Sequence, residues 1–318
     1  MSLIKRINEK MINFALANNP FTNVYGLARS MMAFSTFLLF LFNKTEWLFR
    51  PAQGLSEIDM SQNLVQKISF FNLFPNHLEV ARWIIVILML IVMSGWRPRI
   101  TGIIHFWIAF SVFNSAILLD GGEQVLTVMT LILLPITLLD DRKWHWSMPE
   151  TRAGSAAYLY KVMGAHVFIT FARLQLSILY GQAAIERLKN PEWLDGTAVY
   201  YFFQIPMLGI TETMKSLLNP ILTSPFVFFI TWGVTIVELF LAFGFLAPKN
   251  RWKYFLASGV FLHLGIAVLL GLWTFSLTMI ACLIVSYVPE EKMLGLKWLS
   301  KWFNRKDVYT ELQNNPAL

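Results

Sequence analysis

Apolar residues run along this chain in long blocks, and short polar or charged clusters separate them. A bilayer-crossing helix needs roughly 20 predominantly apolar residues. Read against that length, the pattern predicts eight spans: Asn23–Asn43, Val80–Trp96, Thr101–Leu119, Gln124–Leu139, Ala157–Arg187, Pro225–Ala247, Lys253–Leu270 and Trp273–Pro289. The runs are unbroken and lack the period-two alternation of a barrel strand. Only helices remain as the spanning element. The region from Lys253 to Pro289 is too long for one span, so Gly271 and Leu272 are expected to turn a hairpin. Pro135 in the fourth span predicts a kink. The fold class expected is an all-α integral membrane bundle of about eight transmembrane helices, with residues 1–318 as a single domain.

Lys and Arg set the orientation. With the N-terminus in the cytoplasm, sixteen of the 26 Lys and Arg residues fall in cytoplasmic segments and six in outer ones. The positive-inside rule therefore predicts both termini cytoplasmic. Residues 1–20 carry Leu3, Ile4, Ile7, Met11 and Phe14 on one helical face. Residues 290–318 carry Met293, Leu296, Trp298, Leu299, Trp302 and Phe303 in the same way. Basic amphipathic helices of this kind lie in the headgroup plane. The two long loops, near 44–79 and 188–224, fall outside. Both are apolar enough to fold over the bundle as a lid.

Composition agrees with this picture. Of 318 residues, 56% are hydrophobic and 14% charged, and the mean hydropathy is +0.54. A soluble domain has roughly a quarter of its residues charged. The net charge of +7 sits in loops and tails, where it sets topology and meets anionic lipid rather than nucleic acid. Cys282 is alone in an apolar run and reads as a packing residue. Five scattered His residues offer no zinc spacing, so no metal is expected. His77, His105, His145, Trp144 and Trp146 read as interfacial residues. Arg29 reads as structural, or as snorkelling to the near interface.

The chemistry concentrates in the fifth span. His166, Thr170, Arg173, Ser177, Tyr180 and Arg187 recur at helical spacing and share one face. An Arg or His in hydrocarbon is costly unless it faces protein or a wet cavity, so this face cannot look at lipid. Glu238 and His263 lie 11 and 14 residues from Lys249 on adjacent spans, at similar depth. They are expected to approach each other, either as a proton relay or as a structural pair. Asp120-Gly-Gly-Glu123 is a tight turn. Its carboxylates are either solvated or joined to Tyr180, Glu186 and Arg187 at an outward-facing site.

Three stretches carry a family resemblance. Tyr180–Ala198, centred on Glu186-Arg-Leu-Lys-Asn-Pro-Glu-Trp-Leu-Asp-Gly196, resembles the signature of the horizontally transferred transmembrane (HTTM) superfamily, which includes the vitamin K-dependent gamma-carboxylases. Asp120-Gly-Gly-Glu-Gln-Val through Asp140-Asp-Arg-Lys-Trp-His-Trp146, and His263 through Phe275, are similar to further parts of it. Within the superfamily the chain resembles the SdpB branch, the sporulation-delaying-protein maturation factors. Asn19–Ser30, Leu119–Glu123 and Arg142–Trp146 carry that match.

The resemblance implies a bacterial multi-pass membrane protein that helps convert a secreted protoxin into a mature peptide toxin. It also implies a small co-encoded partner protein. The carboxylase branch implies a base lysine immediately before the Leu of the motif, and a quinone-like lipid cofactor. Arg187 occupies that position here, and a guanidinium does not deprotonate. Glu186, Lys189 or His263 would have to serve as base, and Arg187 suits binding a carboxylate or oxyanion. The expected working group is Glu186, Arg187 and Lys189 for chemistry. Tyr180, Trp193, Glu123, Asp120, Arg173 and His166 shape the site, with His263 and Glu238 as an inner pair. A gamma-carboxylase-like enzyme and a non-catalytic permease or immunity-type binder stand as alternatives.

Overall fold

The structure is a computed structural model that describes residues 3–49, 64–117, 119–147, 155–205, 208, 210–290 and 292–293. Among these the chain forms fourteen α-helices: α1 (Leu3–Ala17), α2 (Asn23–Phe42), α3 (Thr45–Leu48), α4 (Leu64–Lys67), α5 (Leu78–Ser94), α6 (Pro98–Ser115), α7 (Gly121–Leu139), α8 (Ala156–Arg187), α9 (Pro191–Leu194), α10 (Ala198–Gln204), α11 (Glu212–Leu222), α12 (Phe226–Ala242), α13 (Trp252–Leu270) and α14 (Trp273–Tyr287). No strand is present among the described residues. A helix stands at each of the eight expected segments. Five of them are long and apolar enough to cross a bilayer: α2, α7, α8, α12 with its 3₁₀ extension to Leu246, and α13 with its lead from Lys249. The protein is a helical membrane protein. The amphipathic helix expected beyond Pro289 falls almost wholly outside the described residues.

Local chemistry sets the helix ends. Asp120 caps α7 by accepting from Gly122 N at 2.6 Å, and Ser155 caps α8 by accepting from Tyr158 N. Gly95 and Gly271 end α5 and α13 with φ of 81° and 71°, a conformation glycine adopts without steric cost. Gly271 and Leu272 thus form the expected hairpin turn between α13 and α14. Pro135 leaves α7 unbroken through Leu139.

Two apolar cores hold the bundle. One joins α2, α7, α8 and α14 through Met32, Met129, Leu176, Tyr180 and Cys282. The other joins α2, α5 and α6 through Phe40, Ile85, Met89 and Ile108, and it also takes in Leu48, Phe70 and Phe71 from the long segment before α5. That segment does more than rest on a surface. Phe70 N donates to Ser111 Oγ at 2.8 Å, and Ser69 and Ser115 hydroxyls pair at 3.0 Å. Arg82 caps the end of α2, donating to the carbonyls of Phe40 and Leu41 at 2.6 and 2.9 Å.

Asn18, Asp140, Lys249 and Glu290 mark one end of the bundle, termed basal here. Asp120, Gly196 and Gly271 mark the opposite, lid end. At the basal end His145 is fully buried rather than interfacial. Arg29 Nη1 lies 3.2 Å from its Nδ1, and Ser30 Oγ lies 3.3 Å from its Nε2. A Cβ on Gly26 would come within 2.8 Å of its ring, and one on Gly95 would overlap it. Arg29 does not snorkel: it is buried and also donates to Thr101 Oγ1 at 3.2 Å. His105 is buried too. An interfacial belt position was expected for both His residues. Tight helix packing around two glycines and a buried guanidinium draws His145 inside instead.

Candidate functional site

Helix α8 is about 48 Å long at 1.5 Å per residue, longer than the roughly 30 Å hydrocarbon core. Its polar face is real, but its residues meet different neighbours along that length. Near its start, His166 Nε2 lies 2.6 Å from Asn18 O, and its ring packs on Phe14 of α1. Arg173 donates to Ser286 O at 2.7 Å, pairs with Glu290 at 3.0 Å, and stacks over Trp252. Glu290 lies past the end of α14. Burial pushes its carboxyl up, but its own backbone N–H, Arg173 and Lys249 outweigh that and hold it below its ordinary value. One turn on, Ser177 Oγ accepts from Phe245 N at 3.1 Å. His166 and Arg173 therefore belong to the basal end and are not brought to the site.

The site is built from the last two turns of α8. Tyr180, 1% exposed, places its hydroxyl 2.8 Å from His263 Nε2 of α13. Arg187 Nη2 pairs with Glu238 Oε1 of α12 at 2.7 Å. Trp193 of α9 lies over the Arg187 guanidinium at 4.2 Å. The expected inner pair is thus re-partnered: Glu238 takes Arg187, and His263 takes Tyr180. Counting residues along α12 and α13 could not show that their partners lie about two turns apart on α8. Arg187, at the end of the polar face of α8, turns inward and pairs with one oxygen of the carboxylate.

Glu238 is 12 residues into α12, about 18 Å from that helix's start. Helix α8 therefore stops well short of the lid end, and residues after Arg187 fill the space above it. Val199 N donates to Thr231 Oγ1 at 3.3 Å. Gly196, at φ 82°, lies so close to Phe228 that a Cβ there would meet its Cα at 3.0 Å. Phe203, Ile210, Leu222 and Val227 form a small apolar cluster over this end. The lid expected from loop composition is present as α9, α10 and α11.

Glu186 and Lys189 point the other way. They pair with each other at 2.7 Å, with side chains 56% and 63% exposed. Asp120 serves as the α7 cap, and Glu123 beside it is buried. Gly122 packs against Phe275 of α14, whose ring lies 5.4 Å from that of His263. The Asp120–Glu123 turn thus borders the Tyr180–His263 pair through Phe275, rather than meeting Glu186 or Arg187. Phe275 drew no attention in the sequence, because an aromatic in an apolar run carries no distinguishing signal.

Among the described residues, Arg187 Nη1, Glu238 Oε2, His263 Nδ1 and Glu123 Oε2 are buried without a hydrogen-bond partner, as are Trp232 Nε1 of α12 and Ser276 Oγ of α14. Native proteins leave few such atoms, and each calls for an explanation. Among the described residues no His, Cys, Asp and Glu cluster could hold a metal ion. What the arrangement offers is a donor from a fixed guanidinium, an acceptor from a desolvated carboxylate, and a Tyr–His hydrogen bond behind them.

Comparison with known proteins places the chain among two relatives from Bacillus subtilis (strain 168). It is 39% identical over 286 residues to the uncharacterized protein YitO, covering 89% of this chain and 91% of the relative. It is 37% identical over 297 residues to the sporulation-delaying protein SdpB, covering 93% of this chain and 90% of that one. No family profile matches the chain, and no solved structure matches it.

Proposed function

The chain belongs to the family of the sporulation-delaying protein SdpB, and from that premise we propose that it serves in the maturation or release of a secreted peptide toxin at the cell membrane. In this reading eight helices span the bilayer with both termini in the cytoplasm, which puts the lid end outside. A protoxin segment reaches the Arg187–Glu238 pair from that side, and a small co-encoded protein assists. The observation that carries the reading is the Arg187–Glu238 ion pair beneath a lid, its carboxylate buried and its guanidinium partly so, with Nη1 and Oε2 buried and unpartnered among the described residues. A buried pair is costly to desolvate and is weak evidence for stability on its own. Intramembrane ionisable groups are functional by default.

In the site's work Arg187 polarises a carbonyl or steadies an oxyanion, Trp193 fixes the guanidinium plane, and Tyr180 with His263 offers a proton path. The free oxygen of Glu238 favours a second reading in which the step is catalysed here and Glu238 is its base. Arg187 cannot be that base.

The test is mass spectrometry of peptides secreted by the host with the gene, without it, and with it restored. A specific peptide that is shorter only when the gene is present supports the proposal. An unchanged length carrying the mass of one added carbon dioxide moves the reading to carboxylation. No difference overturns it and leaves the permease or immunity reading.

A further inference from the structure

The Arg187–Glu238 contact is single-stranded. Nη2 meets Oε1 at 2.7 Å, whereas Nη1 and Oε2 are buried with no partner among the described residues. A guanidinium and a carboxylate commonly meet through two parallel hydrogen bonds. Here Nη1 keeps its N–H groups and Oε2 its lone pairs unused, so one ion pair offers both donor and acceptor. Glu238 is 5% exposed, and an unmade hydrogen bond at such depth is expensive.

The charges narrow what can fill the gap. Arg187 and Glu238 cancel. The nearest charged neighbours in sequence, Glu186 and Lys189, neutralise each other at the surface. An anion entering here would leave the buried site negative, and a cation would leave it positive. Neither is repaid in a desolvated site. The ligand is therefore neutral and carries an acceptor and a donor close together.

An extended polypeptide has that pattern. In a strand, the N–H and C=O of one residue point to the same side and exchange both bonds with a facing partner. The surroundings suit such a chain. Trp193 covers Arg187, its ring lies 5.8 Å from that of Phe202, and the apolar lid cluster lies beyond.

We propose that Arg187 and Glu238 bind the main chain of an extended, uncharged peptide segment, with Arg187 Nη1 donating to a residue's carbonyl and Glu238 Oε2 accepting the same residue's N–H. This deepens the toxin-maturation reading and rests on it for the biological source of the peptide. Recognition through the main chain reads no particular side chain, so it selects for extension and apolarity. Trp193 must swing off Arg187 to admit the chain. It sits in the four-residue helix α9, in which no residue is buried.

The test uses the purified full-length protein in lipid nanodiscs. The probe is a fluorescent, end-blocked Leu-Ala-Leu-Ala-Leu peptide, followed by anisotropy. Two comparison ligands are the same peptide N-methylated at every backbone nitrogen, and sodium acetate as competitor. The expected result is saturable binding, weakened at least about tenfold by N-methylation, as loss of a hydrogen bond to a charged group requires. Acetate does not compete. Arg187→Gln weakens it. Because the N-methyl comparison is made on the unaltered protein, a variant that fails to fold does not decide the matter.

Equal affinity for the N-methylated peptide would show that the main chain is not read, and would overturn the proposal. Competition by acetate would mark an anion site instead. No binding to the native protein would also overturn it. Peptide binding in a host whose secreted peptides do not depend on the gene would remove the toxin reading and leave this one standing.

Discussion

Removing one member of the Arg187–Glu238 pair should cost far more than removing both. Take Glu238→Ala. It leaves the Arg187 guanidinium inside the bundle, with a Trp193 face as compensation. Breaking a fully buried pair costs roughly 3–5 kcal/mol. The Arg187 side chain is 21% exposed, so part of that charge reaches solvent, and the estimate falls to about 2–4 kcal/mol. Unfolding entropy near 2.1 cal/mol/K per residue makes about 0.7 kcal/mol/K for a chain of this length. The expected fall in Tm is then roughly 3–6 °C. Arg187→Met should cost similarly, because it strands the Glu238 carboxylate among apolar neighbours. The double variant Arg187→Met with Glu238→Ala strands neither charge and should recover most of the loss. The assay is thermal unfolding in detergent, followed by near-ultraviolet circular dichroism, for all four proteins. A coupling of at least about 3 kcal/mol is expected, since the two single losses sum to about 4 kcal/mol or more and the double recovers most of that. Losses that simply add, within about 0.5 kcal/mol, would refute the idea that the two charges depend on each other.

Other outcomes follow from the packing. Gly244→Ala places a Cβ 2.6 Å from Tyr287 Cζ and closer still to its hydroxyl, where α12 ends against α14. It should destabilise by about 1–3 kcal/mol, and Tyr287→Phe in the same chain should relieve part of that, as read by thermal unfolding. Burial, then Arg29 and Arg142, hold His145 well below the ordinary imidazole value. The native state therefore keeps it neutral while an unfolded chain protonates it near pH 6.5. Its contribution is present above that pH and is lost as pH falls below it, by up to about 1.4 kcal/mol per pH unit. Denaturation midpoints measured from pH 8 to 5 should slope less in His145→Gln than in the native protein, and equal slopes would contradict this.

The eight helices and the α13–α14 hairpin were legible because each rests on a one-dimensional signal, an apolar run bounded by charge or glycine. The polar face of α8 was legible for the same reason. Its division was not. Helical spacing shows that Arg173, Ser177, Tyr180 and Arg187 share a face, but not that one meets the Glu290 turn and another meets mid-α12. That depends on how far α8 slides along its neighbours, a tertiary quantity. Glu238 and His263 show the matching limit. Counting from Lys249 paired them with each other, whereas the packing gives Glu238 to Arg187 and His263 to Tyr180, about two turns apart on α8. His145 misled for a different reason. A His between two Trp near a charged turn looks interfacial, and only Gly26 and Gly95, distant in sequence, reveal the slot made for its ring.

If maturation runs through the inward Arg187–Glu238 pair, the outward Glu186–Lys189 pair is dispensable. The direct measurement is the yield of mature secreted peptide from hosts carrying Arg187→Met with Glu238→Ala, or Glu186→Gln with Lys189→Ala, at equal membrane levels of the protein. Loss of the mature peptide in the first strain and near-normal yield in the second is the predicted result. A normal yield from the first strain, or loss confined to the second, would contradict it.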